Sequence, residues 1–99
     1  MRAPTDEKYN ILIVEDSATL RQMVTMALQE RGYNVTGAAD GITGLHALAE
    51  HTPDAILLDL NLPDIDGFAL CKRIKSEPRG RNIPILVMTS LGESGFEIM

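Results

Sequence analysis

Ninety-nine residues make a single domain, near the lower end of the size that folds alone. A formal net charge of −5 argues against direct nucleic-acid binding, which needs clustered Lys and Arg; the basic groups here (Lys72, Arg73 and Lys75; Arg79 and Arg81) read as solvated faces. The lone Cys71 excludes an internal disulfide and fits a reducing cytoplasm. No apolar run approaches the roughly 20 residues of a membrane span, and residues 1–8, without an apolar stretch, read as a mobile N-terminal tail rather than a signal peptide.

Beyond that tail, short apolar runs alternate with amphipathic stretches, the pattern of βαβ units around a parallel sheet. Asn10–Val14 is the first strand. Asp16 or Ser17 can cap a helix whose apolar positions Leu20, Met23, Val24, Ala27 and Leu28 recur at helical spacing, with Gly32 as its stop. A weaker strand at 34–37 leads to Asp40-Gly41, a turn or cap, and then to a second helix lined by Ile42, Leu45, Leu48 and Ala49 and closed by Pro53. Residues 55–60 are apolar on both faces, as a central parallel strand requires. Asp66 can cap a third helix that turns Leu70, Cys71 and Ile74 inward. Residues 78–82 form a loop, and Pro84 opens a fourth strand at a point where a missing N–H is tolerated. Residues 91–99 read as the opening of a fourth helix.

Three apolar runs end in chemistry-bearing residues. Ile11-Leu-Ile-Val14 is followed by Glu15-Asp16, the run from Ala55 by Asp59, and Ile85-Leu-Val-Met88 by Thr89-Ser90. Open α/β sheets place their sites at the C-terminal edge of the strands, so the carboxylates and the hydroxyl are expected in one pocket. Each has a plainer reading. Acids before a helix cap its free N–H groups, and Thr89 is an ordinary strand residue. An acid straight after an apolar run is nonetheless costly unless something pairs with it, and oxygen ligands at a strand edge suit a hard divalent cation and a phosphoryl group. His46 and His51 read as solvated or partly packed, Cys71 as core, Asp64 and Asp66 as loop and cap acids, and Met23, Met26 and Met88 as core fillers or surface residues.

The spacing Asp59-x-x-x-Pro63-x-x-x-Gly67, with Ile11-Leu-Ile-Val-Glu-Asp-Ser17 before it and Val87-Met-Thr-Ser90 after it, resembles the receiver domain of bacterial two-component response regulators, chemotaxis regulators among them. The resemblance implies a flavodoxin-like, doubly wound parallel sheet of strand order 2-1-3-4. It implies Asp59 as phosphoacceptor, taking a phosphoryl group from a histidine kinase or phosphotransfer protein. Mg²⁺ would be held by Asp16 and Asp59, by Glu15 through water, and by the backbone carbonyl of Asn61. Thr89 would hydrogen-bond the phosphoryl group and couple chemistry to shape. The implied role is a cytoplasmic phosphorelay switch acting on an output domain or partner, with only self-directed phosphoryl transfer and autodephosphorylation rather than enzymatic turnover.

Measured against that family, residues 9–99 read as an incomplete receiver that stops inside the fourth helix. The fifth strand and fifth helix are absent, and with them the family's active-site lysine and aromatic switch residue; Lys8, Lys72 and Lys75 lie in the wrong elements to replace the lysine. The fourth strand should then be an exposed edge, and the chain should self-associate through it unless residues 91–99 fold back over it. The alternative is a degenerate or truncated receiver acting only as a dimerisation or interaction module. A haloacid-dehalogenase-type phosphatase would need a second acid where Asn61 stands, and a P-loop enzyme would need a Gly-x-x-x-x-Gly-Lys motif that is missing.

Overall fold

The computed structural model describes residues 8–88 and the backbone of 96–98; the tail expected at 1–8 falls almost wholly outside the described residues. The elements in chain order are β1 (Asn10–Val14), α1 (Ala18–Glu30), β2 (Asn34–Ala38), α2 (Gly41–Glu50), β3 (Ala55–Asp59), α3 (Gly67–Ser76), β4 (Ile85–Met88) and β5 (Phe96–Ile98). They build one sheet of order β2-β1-β3-β4-β5. The first three pairings are parallel, so the expected 2-1-3-4 arrangement is found. The chain runs outward from β1 to β2, then α2 carries it back across to β3 on the other side of β1. That reversal puts a switch point between β1 and β3.

Period-two alternation divides the core. Leu12, Val14, Ile56, Leu58, Ile85 and Val87 face the side covered by α2 and α3, packing with Leu48, Leu70, Cys71 and Ile74. Ile11, Ile13 and Met88 face the other side, with Val24 and Leu28 of α1. The helices begin where side chains can cap them. Ser17 Oγ accepts from Leu20 N, Asp40 from Thr43 N and Asp66 from Phe68 N. Of the two caps the sequence allowed for α1, Ser17 is the one used.

The structure settles one open reading and corrects one expectation. Of the two roles left open for Met23 and Met26, the surface one holds. No residue of α1 is fully buried, and Met23 and Met26 are 63% and 56% exposed; only Val24 and Leu28 of the stripe pack on the sheet. The correction concerns the C-terminal segment. Residues 91–95 lie outside the described residues, but 96–98 form a strand, not a helix, running antiparallel to β4 in the register Leu86↔Ile98, Val87↔Glu97, Met88↔Phe96. The outer edge of β4 is therefore paired within the chain. From Leu86 to Met88 it has a neighbour, which weakens the reason for self-association through an exposed fourth strand.

Burial makes the two faces respond differently to truncation. Leu70→Ala, at a fully buried site, is expected to cost about 2–5 kcal/mol. Met23→Ala should stay within about 0.5 kcal/mol of the parent, as exposed substitutions do. Urea unfolding of both variants checks this, and a large loss from Met23→Ala would mean that α1 is covered by something.

Candidate functional site: an acidic pocket at the sheet edge

Parallel pairing builds the site. Val14 of β1 lies opposite Leu58 of β3, so the next residue on each strand, Glu15 and Asp59, emerges side by side at the C-terminal edge. Asp16 follows at once. The three carboxylates each offer an oxygen, and these oxygens lie within 4.8 Å of one another. Asp16 is exposed, whereas Glu15 is 3% and Asp59 7% exposed, the only buried charged residues among the described residues. Glu15, Asp16, Ser17, Leu20, Asp59, Asn61 and Met88 line the resulting pocket. Of the residues singled out in the sequence, the structure thus joins Glu15, Asp16, Asp59 and Asn61. Thr89 lies outside the described residues; β4 ends at Met88, whose register partner is Asp59.

Local hydrogen bonds hold the walls. Ser17 N donates to Glu15 Oε2 at 2.9 Å, and Asn61 N to Asp59 Oδ1 at 3.1 Å. Arg21 Nη1 donates to the Glu15 carbonyl oxygen at 2.6 Å, pinning the turn between β1 and α1. Glu15 N donates to Ala38 O at 2.9 Å, which ties that turn to the end of β2. The spacing of Asp59 and Gly67 also acquires a cause. Gly67 N donates to Leu60 O at 3.1 Å, and a Cβ on Gly67 would stand 2.5 Å from Leu60 Cα and 2.8 Å from Asp59 O. Only glycine lets α3 begin this close to the end of β3.

Burial raises the Glu15 carboxyl to about 7 from an ordinary 4.5, and the charges of Asp59 and Asp16 push the same way against the Ser17 N–H, which lowers it. Asp64 moves in the opposite direction. The Gly41 and Ile42 N–H groups it accepts hold its carboxyl below the usual carboxylate range. Sequence reading missed the roles of Arg21 and Asp64. Arg21 stands four residues after the cap, a spacing that brings it back over the turn. The partners of Asp64 lie more than twenty residues away, and nothing local announces them. His46 and His51 are exposed, and Cys71 is buried in the core.

An open sheet that gathers three carboxylates at its switch point has counterparts among known proteins. Residues 11–97 match the response regulator receiver domain, so the chain belongs to that family. It is 41% identical over 83 residues to the DNA-binding dual master transcriptional regulator RpaA of Synechocystis, covering 84% of this chain and 34% of that protein. It is 36% identical over 90 residues to the protein named probable transcriptional regulatory protein TcrX of Mycobacterium tuberculosis, covering 91% and 38%. Among solved structures it superposes on the chemotaxis response regulator CheY4 of Vibrio cholerae with a TM-score of 0.82 at 36% identity, over 85% of this chain and 70% of that one. The receiver domain of a sensor histidine kinase from Pseudomonas aeruginosa, with a magnesium ion coordinated in its active-site cleft, gives 0.82 at 34% identity, over 90% and 73%.

The chain spans about a third of the length of those curated regulators. Its acidic balance speaks for these residues alone, so the expectation of no nucleic-acid contact does not extend to longer proteins of the family, RpaA being named as DNA-binding. Among the described residues no helix is long and apolar enough to cross a membrane.

The raised Glu15 carboxyl has a measurable consequence in a metal chelator. The folded chain keeps that proton up to about pH 7, while the unfolded chain releases it near 4.5. Between those values the folded state binds more protons, so the stabilisation is complete below about 4.5 and is lost as pH rises through 7. Glu15→Gln keeps an acceptor for Ser17 N–H without the charge. It should flatten the pH dependence and be the more stable form at pH 8. Denaturant unfolding from pH 5 to 8 checks this; parallel curves for variant and parent would assign the slope elsewhere.

Proposed function

We propose that this chain is the phosphoacceptor module of a two-component phosphorelay. Asp59 accepts a phosphoryl group from a phosphohistidine on a sensor kinase or phosphotransfer protein. The observation that carries the reading is the convergence of Glu15, Asp16 and Asp59 within 4.8 Å at the sheet edge. Such a donor set, all carboxylate oxygen, fits a hard cation such as Mg²⁺. Asp16 and Asp59 would hold it directly, Glu15 through water, and Asn61 through its backbone carbonyl. When bound, Mg²⁺ supplies the positive charge that offsets the three carboxylates and the incoming phosphoryl oxygens.

The chain's own residues supply attack and orientation. Asn61 N–H holds Asp59 Oδ1, which leaves the other oxygen for phosphorus. As the new O–P bond forms, the P–N bond to the donor imidazole breaks and the nitrogen keeps the electron pair. The product is an acyl phosphate on Asp59. The Thr89 hydroxyl would then hydrogen-bond the phosphoryl group and relay its presence to an output domain or partner. The same reading places the module in the cytoplasm, takes residues 9–99 as its receiver domain, and confines its chemistry to its own phosphorylation and dephosphorylation. A purely structural, unphosphorylated module is not favoured, because nothing in such a role would keep Glu15, Asp16 and Asp59 together at the cost of their mutual repulsion.

Two measurements test the reading. Mg²⁺ should raise the melting temperature of the parent, and Asp16→Asn should remove that rise; an undiminished rise in the variant would take Asp16 out of the metal site. Acetyl phosphate with Mg²⁺ should add one phosphate, stable in acid and labile in base, and Asp59→Asn should abolish it. Labelling that persists in Asp59→Asn would remove the proposed nucleophile.

A further inference from the structure

The loop from Leu60 to Asp66 carries Asn61 and closes on itself at its base. Gly67 N donates to Leu60 O, and Asn61 bridges to Asp66. Its tip is anchored elsewhere. Asp64, on that tip, spreads its carboxylate across the start of α2, with Oδ1 accepting from Gly41 N at 2.8 Å and Oδ2 from Ile42 N at 2.9 Å. The helix already has a cap of its own, since Asp40 accepts from Thr43 N at 2.7 Å and its carbonyl from Gly44 N at 3.0 Å. A second carboxylate, brought from another element, does more than a helix end requires. The surroundings are cut to admit it. A Cβ on Gly41 would collide with the Ile65 side chain and stand 3.3 Å from Asp64 Oδ1, so a larger residue there would have to displace the Ile65 side chain beside the clamp.

These bonds close a ring around the acidic pocket. Asp59 is tied to Asn61, the loop to α2 through Asp64, and the strand before α2 to Glu15 through Ala38 O. The two walls of the pocket, one from β1 and one from β3, are thus braced against each other through α2. We infer that Asp64 is a positioning residue, clamping the acceptor loop to the N-terminus of α2 so that the Asn61 carbonyl is held at the mouth of the acidic pocket. The inference rests on reading Asn61 and the three acids as the Mg²⁺ site. Asp64 itself touches neither metal nor phosphoryl group. It sets the loop's position, as outer partners of metal ligands do.

The test compares Asp64→Ala and Asp64→Asn with Asp40→Ala, which removes the helix's own cap and leaves the clamp. Each is read for Mg²⁺ affinity by titration and, without metal, for hydrogen exchange at the Asn61 and Gly67 amides. Asp64→Ala should weaken Mg²⁺ binding about tenfold and speed exchange at both amides. Asp64→Asn, which can still accept one N–H, should fall between it and the parent. Asp40→Ala should lower the melting temperature but leave affinity and loop exchange unchanged. The inference is overturned if Asp64→Ala and Asp40→Ala behave alike, both less stable with unaltered Mg²⁺ affinity and loop exchange. Should the parent itself bind no Mg²⁺, the function proposed above fails and the metal half of this inference falls with it. The metal-free exchange still decides whether Asp64 holds the loop.

Discussion

The parallel pairing of β1 with β3 is the constraint on which the site depends. Two strands running the same way, in register from Ile11 to Val14, must end together. Whatever follows each of them is presented at one edge. Glu15, Asp16 and Asp59 are not close in sequence, and no local turn could gather them; the sheet does so as a by-product of forming its core. β1 is buried from Ile11 to Val14, and Ile56 and Leu58 of β3 are fully buried, which restrains the register, because a one-residue shift would turn Ile13 and Leu58 to the wrong faces. Precision at the pocket is therefore inherited from apolar packing.

That packing also sets the cost. Placing Glu15 beside Asp59 out of water disfavours its anion, so the folded chain carries a pocket that is electrostatically unfavourable when all its acids are ionised. A protein selected only for stability would not retain it. The expense becomes intelligible if a cation and a phosphoryl group complete the site, since a divalent charge reverses the sign of the local interaction. The hydrogen bonds from Ser17, Asn61 and Arg21 serve the same end. They hold backbone and carboxylate positions against a repulsion that would otherwise spread them.

The two layers around the sheet are unequal. α2 and α3 seal one face with fully buried Leu48, Leu70 and Ile74, while α1 covers the other with only partly buried side chains. The β1–α1 turn shapes the pocket from the α1 side, while on the sealed side Gly67 and the Asp64 hydrogen bonds fix the loop after β3 against α2 and α3. β5 adds a short antiparallel strand on the outside of β4. It satisfies an edge that would be a hazard if bare.

Much of this was legible in the sequence. Short apolar runs located β1, β3 and β4, and helical spacing located α1, α2 and α3, within a residue or two, because a strand buried on both faces is apolar throughout and a helix with one apolar face writes its period into the chain. The acids after β1 and β3, with Pro63 and Gly67 at their spacing, pointed to the pocket and to the family. The tertiary structure decided what depended on distant partners. The stripe on α1 left Met23 and Met26 as core or surface, and the structure exposes them, since periodicity tells which side chains share a face and not how much lies against it. Residues 96–98 looked helical but pair with β4, because an open strand edge outweighs a weak local preference. Asp64 looked like a loop acid but reaches the start of α2, more than twenty residues back, and a contact of that range leaves no local period in the chain that holds it.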